Sequence, residues 1–88
     1  MNMNTKQKER RYSTSNFYPA CFLLAKGMRL ISIDRTTPRF SFIFEDVPER
    51  EKLLQDFNFA GDGDPAVLVD CRKLITVIKF LKEKLYQD

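Results

Sequence analysis

Apolar positions along this chain are spaced in three ways: a near-continuous run over 17–25, a two-residue alternation over 30–45, and helical spacing over 53–57 and 71–85. The run "FYPACFLLA" reads as a helix. Thr14, Ser15 and Asn16 are all competent N-caps, Pro19 falls in the first turn where a missing N–H is tolerated, and Gly27 stands where a left-handed C′ residue ends a helix. Phe17, Ala20, Cys21, Leu24 and Met28 form one stripe, with Phe22 and Leu23 well off it. A helix that is apolar nearly all round is buried on more than one side. The second cover is another subunit, the N-terminal arm or a neighbouring helix.

The same stretch, preceded by Arg10 and Arg11, also has the outline of an export signal. Pro19 interrupts the run, Lys26 ends it, and no small-x-small cleavage pattern follows. A membrane span needs about 20 apolar residues, which no stretch supplies. The segment is therefore expected to pack inside the domain.

"LISIDR" (30–35) and "RFSFIFE" (39–45) read as two strands joined around Thr36-Thr37-Pro38. Phe40, Phe42 and Phe44 share one face, and Ile31 and Ile33 are expected opposite them, because a one-residue slip would set Asp34 against a phenylalanine. The result is an antiparallel pair with one buried and one wet face. "DVPEREKLLQDF" then opens a helix, capped at Asp46 or Val47 and turning Leu53, Leu54 and Phe57 inward. "AGDGDP" is a loop, "AVLV" (66–69) reads as a short third strand, and Asp70 caps a last helix running to about Tyr86. The stripe of that helix is Cys71, Leu74, Ile78, Leu81 and Leu85, flanked by Ile75 and Val77.

The predicted order is α-β-β-α-(β)-α, an α+β fold in which a small hairpin-based sheet carries helices on one face, as a two-layer sandwich. The optional strand would run parallel to the second strand and sit beside the first. Eighty-eight residues suit one domain, predicted over 14–88, with 1–13 as a flexible basic arm.

Charge changes the picture only by its placement. The net charge is +3, and Lys6, Lys8, Arg10 and Arg11 against Glu9 supply all of it, so the body is neutral. That body is polarised: acids concentrate over 45–64 and lysines and arginines over 72–84.

Tyr12-x-Thr14-Ser15, a helix ending "AKG" (25–27), "FSFIFED" (40–46), Pro48-Glu49 opening an acidic helix and "VDCRKL" (69–74) before a Lys-rich last helix together resemble a family of short uncharacterised proteins of bacteria and their phages. The resemblance spans roughly residues 12–84 and implies a cytoplasmic protein with no assigned functional residues.

Candidate chemistry is sparse. Histidine is absent, which removes the commonest general base, and two cysteines cannot complete a structural zinc site. Cys21 and Cys71 each lie in an apolar stripe and read as buried reduced thiols. Asp62 and Asp64 lack the further oxygen ligands of a calcium loop and read as a solvated turn. No phosphate-binding glycine pattern occurs. The sequence thus points away from an enzyme, with no cofactor, metal or small-molecule substrate expected.

A non-catalytic, cytoplasmic binding module is left, self-associating or engaging a protein partner. The expected interface is Phe22 and Leu23 of the first helix together with Phe80, Lys73 and Lys84, which share the outer face of the last. The alternative is weak, sequence-tolerant nucleic-acid binding through Lys6, Lys8, Arg10 and Arg11, aided by the last helix.

Overall fold

The computed structural model describes residues 10–36 and 38–86. Seven elements follow one another: β1 (Arg11–Thr14), α1 (Phe17–Ala25), β2 (Leu30–Asp34), β3 (Ser41–Glu45), α2 (Arg50–Phe59), a 3-10 turn (Pro65–Val67) and α3 (Cys71–Leu85). The fold is α+β, a three-stranded antiparallel sheet packed against helices. The strand order is β1-β3-β2, so the Phe-rich strand is central and both neighbours run antiparallel to it.

The α1 helix forms where the sequence places it and ends in a Schellman arrangement. The Gly27 N–H donates to the Leu24 carbonyl at 3.0 Å and the Met28 N–H to the Leu23 carbonyl at 3.0 Å, with Gly27 at φ 104°. Glycine alone takes that conformation without strain. The turn delivers Met28 back onto Leu23, and both are buried in the core with Ala20, Cys21, Phe42, Phe44 and Leu81. Phe17 meets the Phe42 ring edge-on, with centroids 6.2 Å apart, so α1 covers the phenylalanine side of the sheet.

Its second side is covered within the same chain. Phe22 stacks against Phe57 of α2 with centroids 5.0 Å apart, and Leu23 is fully buried. Of the three covers considered, a neighbouring helix is the one found.

Five expectations are corrected. "AVLV" is not a strand: Pro65 fixes a helical φ, and the Asp64 carboxylate accepts from the Ala66 N–H at 2.9 Å, closing a 3-10 turn. The third strand is instead β1. Tyr12 stands opposite Phe44 and Thr14 opposite Phe42, so the folded body begins inside the stretch expected to be an arm.

The hairpin carries an irregularity between Leu30 and Ser32. It puts Leu30, not Ile31, opposite Phe44, while Ile33 meets Phe42 as expected. The extra residue is what a bulge inserts, and bulges are common on edge strands. Phe40 precedes β3 and is exposed, its ring 5.8 Å from the Arg35 guanidinium carbon, so only two of the three phenylalanines build the core. The centre of the turn expected at Thr36-Thr37-Pro38 lies outside the described residues.

Asp46 does not begin α2; it anchors the turn before it. Its carboxylate accepts from the Val47 N–H at 2.9 Å and from the Arg50 side chain at 3.1 Å, and α2 starts at Arg50. The Arg50 guanidinium lies over the Tyr12 ring, 4.2 Å from its centre. Strand β1, the end of β3 and the start of α2 are thereby tied together. The Arg50 hydrogen bonds hold the Asp46 carboxyl below its ordinary range.

Candidate functional site

The last helix separates two surface features. Asp70 caps it, its carboxylate accepting from the Lys73 N–H at 2.9 Å. Leu81 is fully buried, and Leu74, Val77, Ile78 and Leu85 pack on the core, so the inner face is fixed as the periodicity requires. Phe80 consequently points away from the core and is 42% exposed.

What half-covers Phe80 is the outer edge of β2. Ile31, Ile33, Arg35, Phe80 and Lys84 line a groove of about 230 Å³ between that edge and α3. The Lys84 ammonium lies over the Phe80 ring, 5.4 Å from its centre. Arg35 donates to the Lys84 carbonyl, fastening β2 to the last turn of α3. Lys73 is exposed two turns earlier on the same helix. Phe80, Lys84 and Lys73 are thus surface residues of one helix, with Arg35 added by the sheet.

On the opposite flank of α3 is an apolar cleft of about 300 Å³, bounded by α1, α2, the 3-10 turn and the start of α3. Phe22 and Phe57 contribute rings to it, Tyr18 and Ile78 line it, and Asp62 supplies a carboxylate. Among the described residues no hydrogen bond or ion pair engages Asp62, whereas Asp64 caps the 3-10 turn. The sequence gives no sign of this cleft, because its walls come from four separate segments.

The expected interface is therefore divided. Phe80, Lys73 and Lys84 lie on the surface, but Leu23 is fully buried, and Phe22, 4% exposed, reaches the surface only as a wall of the cleft. Phe22 is covered by Phe57 of α2, and Leu23 lies in the core with Phe42, Phe44 and Leu81. The basic stretch is divided too. Lys6 and Lys8 lie outside the described residues, Arg11 stands opposite Glu45 in the β1–β3 register, and Arg10 shares a groove with Asp46 and Glu51.

The two cysteines also part company. Cys71 is exposed at the first position of α3, contrary to the buried thiol expected, because the first turn of the helix projects past the core. Cys21 is buried, and desolvation pushes its thiol up to about 11, against a smaller opposing pull from Lys82. At pH 8, native protein should alkylate at Cys71 and stay protected at Cys21, which mass spectrometry of iodoacetamide-treated protein will read.

The raised value also has a stability consequence. The folded state holds the proton more tightly than the unfolded chain, so this contribution is complete below pH 9 and is lost as pH rises through about 11. Its size is on the order of 2 kcal/mol. Urea denaturation of wild type and Cys21→Ala at pH 8 and pH 11 should show that extra loss in wild type alone.

Among the described residues no group of three or more His, Cys, Asp or Glu side chains gathers to hold a metal ion, and no helix is long and apolar enough to cross a membrane. The geometry defines a small α+β domain that presents an aromatic and cationic face and an apolar cleft on either side of its last helix. The family described as a domain of unknown function, DUF5659, matches residues 9–87, and the chain belongs to it. That span takes in β1 as well as the helices. No curated protein and no solved structure matches the chain.

Proposed function

We propose that this domain is a non-enzymatic binding module that works by protein–protein contact, in the first place with copies of itself, in the cytoplasm of a bacterium or for a phage. The observation that carries the reading is Phe80: a large apolar ring left 42% exposed under the Lys84 ammonium, beside an edge strand of the sheet. Aromatic residues are enriched at the centres of interfaces, where a neighbouring cation adds specificity. The buried thiol at Cys21 is held protonated and makes a poor nucleophile, which fits a binding role better than a catalytic one.

Nucleic-acid binding through the basic stretch is the less favoured reading. Asp46, Glu51 and Glu45 stand beside Arg10 and Arg11, and carboxylates there oppose a phosphate backbone. Sedimentation velocity at about 100 µM, a concentration that reveals micromolar association, tests the proposal. Wild type should exceed the monomer mass and Phe80→Ala should approach it. A strictly monomeric wild type would overturn self-association.

A further inference from the structure

We infer that self-association is head-to-tail: the Phe80–Lys84 face of one copy seats on the apolar cleft of the next, with Lys84 and Lys73 facing Asp62. This rests on the self-association reading above and specifies which surfaces meet. The two surfaces differ, one an aromatic ring flanked by lysines and the other an apolar cleft with a carboxylate at Asp62, and they occupy different flanks of α3, since Leu74 and Ile78 line the cleft while Phe80 and Lys84 line the groove at the sheet edge. A single copy cannot bring them together.

The match is one of shape class and of charge. The cleft holds about 300 Å³, and its walls include the rings of Phe22, Phe57 and Tyr18. A cavity of about 150 Å³ is enough to take a benzene ring, so one phenylalanine side chain fits with room for its stem. The cleft carries a carboxylate at Asp62 that has no partner among the described residues, and no lysine or arginine lines it. The Phe80 face carries ammonium groups at Lys84 and Lys73 that no carboxylate engages among the described residues. Bringing the two faces together pairs both sets of charges, whereas two Phe80 faces brought together would set lysine against lysine.

The edge of β2 argues against the main symmetric alternative. Two-fold pairing of β2 strands would need a regular free edge. The irregularity between Leu30 and Ser32 breaks it, as bulges do on edges that must not pair. A contact between unlike surfaces is heterologous, so it propagates into a ring or an open chain and does not stop at a two-fold dimer.

Charge reversal on each surface tests the arrangement. Asp62 and Lys73 are exposed, and Lys84 holds Arg35 only through its main-chain carbonyl, so Asp62→Lys and Lys84→Glu leave the fold intact, which circular dichroism will verify. Each variant alone presents like charges at the contact and should self-associate about tenfold more weakly than wild type in light scattering at low salt. Mixing the two in equal amounts restores opposite charges at both kinds of contact. The reversed cleft of the Asp62→Lys variant then meets the reversed face of the Lys84→Glu variant, and the unaltered Asp62 of the second meets the unaltered Lys84 of the first. Mass should return toward wild type.

An isologous contact through Phe80 predicts a different pattern, with Asp62→Lys silent and Lys84→Glu strengthening association. That result, or a mixture that stays monomeric, overturns the head-to-tail arrangement while leaving self-association standing. A monomeric wild type overturns both.

Discussion

Phe44→Ala should remove most of the protein's stability, whereas Phe40→Ala, four residues away on the same alternating stretch, should cost about 1 kcal/mol or less. Phe44 is fully buried on the central strand, opposite Tyr12 on one side and Leu30 on the other, and reaches the core that α1 and α3 close. Truncating such a phenylalanine removes its burial and leaves a cavity, at a cost of about 3–5 kcal/mol. Small domains have total stabilities of about 5–15 kcal/mol, and a chain of this length belongs toward the lower end. Phe40 is 38% exposed and sits outside β3, so its removal leaves no cavity in the core. Thermal melts of the two variants side by side check the contrast. Equal losses would mean that the sheet is not in the register described.

The second large effect concerns the N-terminus. Relative to a chain beginning at Arg10, one beginning at Ser15 should lose about 3 kcal/mol, combining burial of the Tyr12 side chain, its pairing with Phe44 and the stacked Arg50 guanidinium. Without β1, one edge of the central strand would also lose its partner over Tyr12–Thr14, and the Asp46 N–H would lose its bond to the Arg10 carbonyl. Tyr12→Ala separates side chain from strand: it should account for more than half of the loss while keeping the backbone ladder. Urea midpoints of the three proteins measure this directly. Near-identical midpoints for the chains beginning at Arg10 and at Ser15 would return Arg11–Thr14 to the status of an arm.

Some features are legible because they depend on neighbours in sequence. The Asp70 cap, the glycine that closes α1, the inward faces of α2 and α3, and the pairing of Ile33 with Phe42 all follow from spacing and local chemistry. The outward direction of Phe80 belongs with them, since a helix whose inner stripe is known fixes its outer one.

Where local signals are short, they mislead. Arg11–Thr14 has one large apolar residue in four, too little to register as a strand, and it exists because β3 offers it an edge. "AVLV" has the composition of a strand but follows Pro65 and the Asp64 cap, which commit the chain to a turn before any edge is reached. Parity alone sets Ile31 opposite a phenylalanine, and a single inserted residue in β2 moves Leu30 into that place.

The candidate site divides along the same line. Periodicity identifies Phe80, Lys73 and Lys84, but it also offers Phe22 and Leu23 as a second contact because their helix is apolar all round, a property equally explained by a helix of the same chain. Spacing tells which side chains leave water and is silent on what they leave it for. By itself, then, the sequence determined the three helices, the Asp70 cap and the Gly27 stop, and the places of Phe42, Phe44 and Ile33 on the sheet's buried face. The tertiary structure decided the third strand, the partner of Phe22, and the cleft at Asp62, since each depends on contacts between residues far apart in the chain and on which surfaces are left once every apolar face has found cover.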